Sequence, residues 1–147
     1  MILSSRDDAP TYPYSKRLVA VINEAEPTAS ARPARAKNQQ RVIELIRTDQ
    51  MQFALSSLDR FERLVRRVVE LTRSAPVRIE VVYQFGELLL LTRHDVPQQT
   101  IAVLTHALLE NLADLPGALR PRQMLANEQL HVGARAAIER YVNREQH

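Results

Sequence analysis

The sequence predicts a mainly α-helical fold carrying one β-hairpin, ordered as N-terminal arm, long amphipathic helix, hairpin and two further helices (αββαα). Three observations predict it. The first 36 residues are punctuated by prolines, apolar residues then recur at spacings of three and four, and the period switches to two between Val77 and Phe85.

Residues 1–36 read as an extended arm. Pro10, Pro13, Pro27 and Pro33 each remove a backbone donor and bias the preceding residue towards extended geometry. Within the leader only Lys16 to Ala25, KRLVAVINEA, has the composition of a short strand or helix. The stretch PTASARPARAKNQQR, residues 27–41, holds four cations and no acid, too little apolar surface to fold alone. The expectation is an arm over 1–36 that gains order by docking on a neighbouring macromolecule. A helical domain over 37–147 follows, with the hairpin at about 77–92.

From Gln39 the spacing is helical. Val42, Leu45 and Ile46 share a face; Asp49-x-x-Gln52 has the form of a capping box, where a long helix restarts or kinks. Ala54, Leu58, Phe61, Val65 and Val68 continue the stripe to the Ser74-Ala75-Pro76 stop. The opposite face is charged, and Glu62 and Arg66 form a favourable i,i+4 pair. Val77, Ile79, Val81, Tyr83 and Phe85 then alternate with Arg78, Glu80, Val82 and Gln84, which is strand spacing. Gly86 sits where a tight turn needs positive φ, and Leu88 to Thr92 returns as a strand covered on both faces. Asp95, followed by Pro97 and Gln98, starts a helix with Ile101, Leu104, Leu108, Leu112 and Leu115 inward, which Pro116-Gly117 stops. A last helix is expected from about residue 121 to the C-terminus, with Leu130, Ala134, Ala137, Ile138 and Tyr141 inward. Gly133 and its alanines make that helix slim.

Composition removes several function classes. The chain has 147 residues, a net charge of +3 and no cysteine, so disulfides, thiolate metal sites and cysteine nucleophiles are excluded. No apolar run approaches a membrane span, and a cytoplasmic protein, or one inside an assembled particle, is expected. Three glycines do not build a phosphate-cradling loop or a nucleophile elbow with its oxyanion loop. The histidines are His94, His106, His131 and His147. Glu128-x-x-His131 is half of a helical di-iron motif with no second copy, and His106 with Glu110 reads as a solvated pair. No catalytic residue, metal or cofactor is expected.

The cations are 18 arginines and two lysines, and arginine's planar fork suits carboxylates and phosphates. Arg32, Arg35, Lys37 and Arg41 in the leader, with Arg60, Arg63 and Arg67 on the long helix, form the candidate partner- or phosphate-binding set. Val77, Ile79, Val81, Gly133 and Ala137 are the candidate oligomer interface, because a lone hairpin seeks edge partners and a slim helix admits close neighbours. The leading expectation is a non-enzymatic assembly or adaptor protein, a homo-oligomer or subunit of a larger complex. The alternative is a DNA-associated factor holding phosphates on the arm and the Arg face. Phe53, Phe61 and Phe85 fall on apolar stripes and tryptophan is absent, so base stacking is not expected.

Overall fold

In the computed structural model, which describes residues 1–145, five strands form one mixed sheet in the order β2-β1-β3-β5-β4. The elements are β1 (Ile2–Ser5), α1 (Thr11–Ala25), β2 (Pro33–Ala36), α2 (Gln39–Arg47), β3 (Phe53–Ser57), α3 (Leu58–Leu71), β4 (Ile79–Phe85), β5 (Leu88–Arg93), α4 (Gln98–Leu109), α5 (Pro121–Met124) and α6 (Val132–Glu145). His147 lies outside the described residues. This is an α/β fold, which corrects the expectation of a mainly helical chain with a single hairpin.

The extended arm is corrected with it. Residues 2–36 form β1-α1-β2, and β1 runs parallel to both β2 and β3 between them. All four β1 residues are buried. Four residues are too few to show a period, and a parallel strand covered on both faces has none to show. Each proline sits where it does no harm. Pro10 precedes α1 and Pro13 lies in its first turn, where no intrahelical donor is lost. Pro27 opens a 3-10 turn, and Pro33 opens an edge strand. Thr11, Ser15, Leu18, Val19 and Ile22 make the buried stripe of α1.

The long helix is three elements. Asn38 caps α2 by accepting from the Arg41 N–H at 3.0 Å. Asp49 terminates α2 instead of starting a helix, with φ of 62° and its N–H on the Ile46 carbonyl. Strand β3 follows, with Ala54, Leu55 and Ser56 buried. Only α3 keeps part of the predicted stripe: Phe61 and Val68 are buried, but Leu64, outside that stripe, is buried with them, while Leu58 is exposed and Val65 half-buried. Arg93, at the end of β5, locks this region: Nη1 donates to the Ile46 carbonyl at 2.7 Å, while Nε and Nη2 clasp Asp95 at 2.9 and 2.8 Å.

The hairpin forms, with Gly86 at φ of 59° and every residue of β5 buried. β5 pairs antiparallel with β3, so the hairpin is welded into the sheet. The outer edge of β4 is covered too. Leu119 N–H donates to the Gln84 carbonyl and His131 N–H to that of Val81, while Val81 N–H reaches Gln129 O. Asp95 serves Arg93 and does not cap α4, whose N-cap is Pro97; α4 ends at Leu109, so Leu112 and Leu115 lie beyond it. The expected last helix is divided into α5 and α6. Between them, buried His131 donates from Nε2 to the Val96 carbonyl at 2.9 Å and accepts the Gly133 N–H on Nδ1 at 3.0 Å. α1 packs on α4 and α4 on α6, whereas α2 packs on α3. Right-handed crossovers place those two groups on opposite faces of the sheet. Among the described residues no helix is long and apolar enough to cross a membrane.

Two substitutions test this packing. In Gly133→Ala the new Cβ would collide with the Gln98 carbonyl oxygen and stand 2.9 Å from Ile101 Cβ. The exchange, which favours most helices, should here cost about 3 kcal/mol in urea unfolding. Arg93→Met leaves Asp95 and the Arg47 carbonyl without the guanidinium, and the Ile46 carbonyl with only the Asp49 N–H, and should cost about 2 kcal/mol in the same measurement.

Candidate functional site

Strand order dictates where a ligand fits. The β1-α1-β2 connection leaves β1 towards one edge, and β2-α2-β3 returns across it, so the chain diverges between the carboxyl ends of β1 and β3. In open α/β sheets such a divergence opens a crevice in which ligands bind. α1, α2 and α3 all begin at that edge, each bringing unpaired backbone N–H groups.

The chain fills the crevice itself with two carboxylates that follow β1. Buried Asp8 accepts the Ser57 N–H through Oδ2 at 2.9 Å and so caps the entry to α3. Its carbonyl receives the Thr11 hydroxyl at 2.6 Å, tying β1 to the start of α1. Asp7 accepts the Ser5 hydroxyl and the Arg60 guanidinium, and Arg60 also donates to the Asp7 carbonyl. The Ser5 hydroxyl, with Arg60 and the Gln39 backbone N–H behind it, holds the Asp7 carboxyl below the usual aspartate value of 3.8. Burial pushes the Tyr14 hydroxyl up to about 12, and it donates to the Pro116 carbonyl at 2.9 Å.

Beside this crevice lies an open cleft of about 680 Å³ whose cations are Arg35, Lys37 and Arg41. Arg35 leaves the end of β2, Lys37 lies in the β2–α2 loop and Arg41 in the first turn of α2. Glu44 is the cleft's one carboxylate, and Arg47 neutralises it through two bonds of 2.9 and 2.7 Å. Three cations therefore stand without an acid of their own in the lining. The Arg35 guanidinium lies 4.1 Å from the centre of the Tyr12 ring, with the Lys16 ammonium 4.9 Å from it. The buried Gln39 Nε2, at the start of α2, has no hydrogen-bond partner among the described residues.

Of the seven cations expected to act together, the structure gathers Arg35, Lys37 and Arg41, with Arg60 next to them on Asp7. Arg32 lies at the other end of β2, where its carbonyl accepts the Ile2 N–H. Arg63 and Arg67 lie one and two turns further along α3, and Arg67 pairs with Glu70 at 3.1 Å. Val77, Ile79, Val81 and Ala137 are buried in the core of their own chain, and Gly133 faces α4 of the same chain. Ser5, Asp7 and Asp8 went unread in the sequence, where their signal is a hydroxyl-acid cluster directly after the apolar tripeptide Met1-Ile2-Leu3; so did Asn38, whose signal is an N-cap residue directly before the helical period. Both ring nitrogens of His131 are engaged, so its spacing to Glu128 has no ligand role. Among the described residues no cluster of three or more histidines or acids is placed to hold a metal ion. No protein-family model, curated protein or solved structure matches the chain.

Because the Asp7 carboxyl is held below 3.8, its clasp stabilises the fold above that pH and is lost as pH falls through the lowered value. Asp7→Asn should therefore melt below the native protein by a constant margin above about pH 5, a margin that closes on acidification. A margin that widens in acid would contradict the assignment.

Proposed function

We propose that the chain is a non-enzymatic binding module that holds a small phosphate-bearing molecule in the cleft over Arg35, Lys37 and Arg41. The observation that carries this is the convergence of those three cations with the N-terminus of α2 at the carboxyl ends of the sheet's parallel strands. A guanidinium grips two phosphate oxygens at once, and Lys37 adds a mobile point charge. The Tyr12 ring against Arg35 limits the rotamers of that side chain, so less ordering entropy is lost on binding.

Duplex DNA fits this geometry less well. A duplex backbone needs a continuous run of cations, whereas Arg63 and Arg67 lie further along α3, and Arg67 is already paired. An assembly role rests on a leader with no partner in its own chain, and β1 inside the sheet removes that support. The edge strand β2 carries Pro33, which has no ladder donor, and Arg35, and both discourage pairing with another strand.

Calorimetric titration of the full chain with inorganic phosphate, pyrophosphate and a short duplex, at two salt concentrations, tests the proposal. Saturable binding of pyrophosphate is expected, weakened about tenfold by Lys37→Ala or Arg41→Ala. Absence of saturable phosphate or pyrophosphate binding, or unchanged affinity in both variants, would overturn it. Tighter duplex binding, with a salt slope that drops by about one per cation removed, would move the assignment to nucleic acid.

A further inference from the structure

Two concavities share a wall at the end of the sheet opposite the basic cleft. The first, of about 460 Å³, lies where the end of α1 faces α4, and its lining is mostly apolar, with Ile22, Phe53 and Leu104 among it. The second, of about 350 Å³, lies between α4 and α6 and is lined by Arg140, Arg144, His106 and Tyr141. Glu26, Gln99 and Val103 line both, so the two form one groove with an apolar half and a cationic half. Val103, at the junction, is 41% exposed. A single exposed valine is ordinary, but one that continues an apolar trough towards charged side chains is a surface of mixed character.

The charge balance of the cationic half is specific. Arg144 already pairs with Glu110 at 2.9 Å, while Arg140 has no carboxylate at ion-pair distance among the described residues. Among the described residues, the groove that holds the guanidiniums of Arg140 and Arg144 is lined by one carboxylate, Glu26. Hydrocarbon satisfies the apolar half and a head bearing negative charge satisfies the other. Each half lies in the volume range of small-molecule sites.

We propose that this composite groove binds a free single-chain anionic amphiphile, with its tail along Ile22, Phe53 and Leu104 and its carboxylate on Arg140. The tail supplies affinity in proportion to the apolar surface it covers, so affinity climbs with chain length. The head supplies the choice of sign, because Arg140 rewards a carboxylate and repels an ammonium. Glu26 tempers the affinity from the junction. Its replacement by glutamine relieves repulsion of an anionic head.

The test is titration of the full chain, below micelle-forming concentrations, with hexanoate, octanoate, decanoate and decyltrimethylammonium, and separately with phosphatidylglycerol vesicles. One-to-one binding of decanoate is expected, with affinity rising about two- to fourfold per methylene along the series. Arg140→Ala should weaken decanoate about tenfold and Val103→Glu should abolish it, whereas Glu26→Gln should tighten it. Both Arg140 and Val103 are exposed, so melting temperatures of these variants should match the native one. Lys37→Ala should leave decanoate affinity unchanged, which separates this groove from the basic cleft. The proposal is overturned by absence of saturable decanoate binding, by equal binding of the cationic amphiphile, by unchanged decanoate affinity in Arg140→Ala and Val103→Glu, or by binding to vesicles alone.

Discussion

Strand β1 is the constraint on which the rest depends. Its backbone is paired on both sides, with Pro33 to Ala36 on one and Phe53-Ala54 on the other, and its four residues are fully inside. Without it, β2 has no neighbour and β3 loses its parallel partner, since β2 touches the sheet only through β1. Its position also fixes where the chain emerges. Asp7 and Asp8 follow directly, and through them β1 organises Thr11, Ser57 and Arg60, which belong to α1, β3 and α3. A segment that looks like a tether in isolation is thus the pivot of a doubly crossed sheet.

The same pivot gives the carboxyl edge its electrostatic character. Three helices open there with unpaired amides, and the cations of β2 and α2 collect beside them. Asp7 and Asp8 occupy the crevice itself and leave the flanking cleft with excess positive charge. Order at the opposite end comes from Arg93, a nearly buried guanidinium that ties β5 to the end of α2 through the Ile46 and Arg47 carbonyls. The chain therefore separates its charges by task. One arginine is sunk into the fold as a staple, and two arginines and a lysine stand around a cleft.

Legibility followed the physics of each segment. The α3 stripe and the hairpin were readable because amphipathic periods and a Gly86 turn are strong local signals. Strand β3 was not. Ala54 and Leu58 stand four apart by coincidence, and FALSS, buried through its middle, has no alternation to set against the helical pattern around it. The prolines misled because their cost depends on position, and all four fall at helix starts, turns or an edge strand. The slimness at Gly133 was real, but it serves close approach to α4 within one chain. Of the site, the cations Arg35, Lys37 and Arg41 were visible as charge; the acids Asp7 and Asp8 acquire meaning only once the crossovers bring β1 beside β3.

Native-state hydrogen exchange at the amides of Leu3, Ser4 and Ser5 tests the placement of β1 most directly. A strand paired on both sides in the sheet interior opens only with the whole fold, so these amides should share the slowest exchange class with Leu90 and Leu91 of β5. Exchange within seconds at neutral pH, as for an arm lying on the surface, would contradict the account.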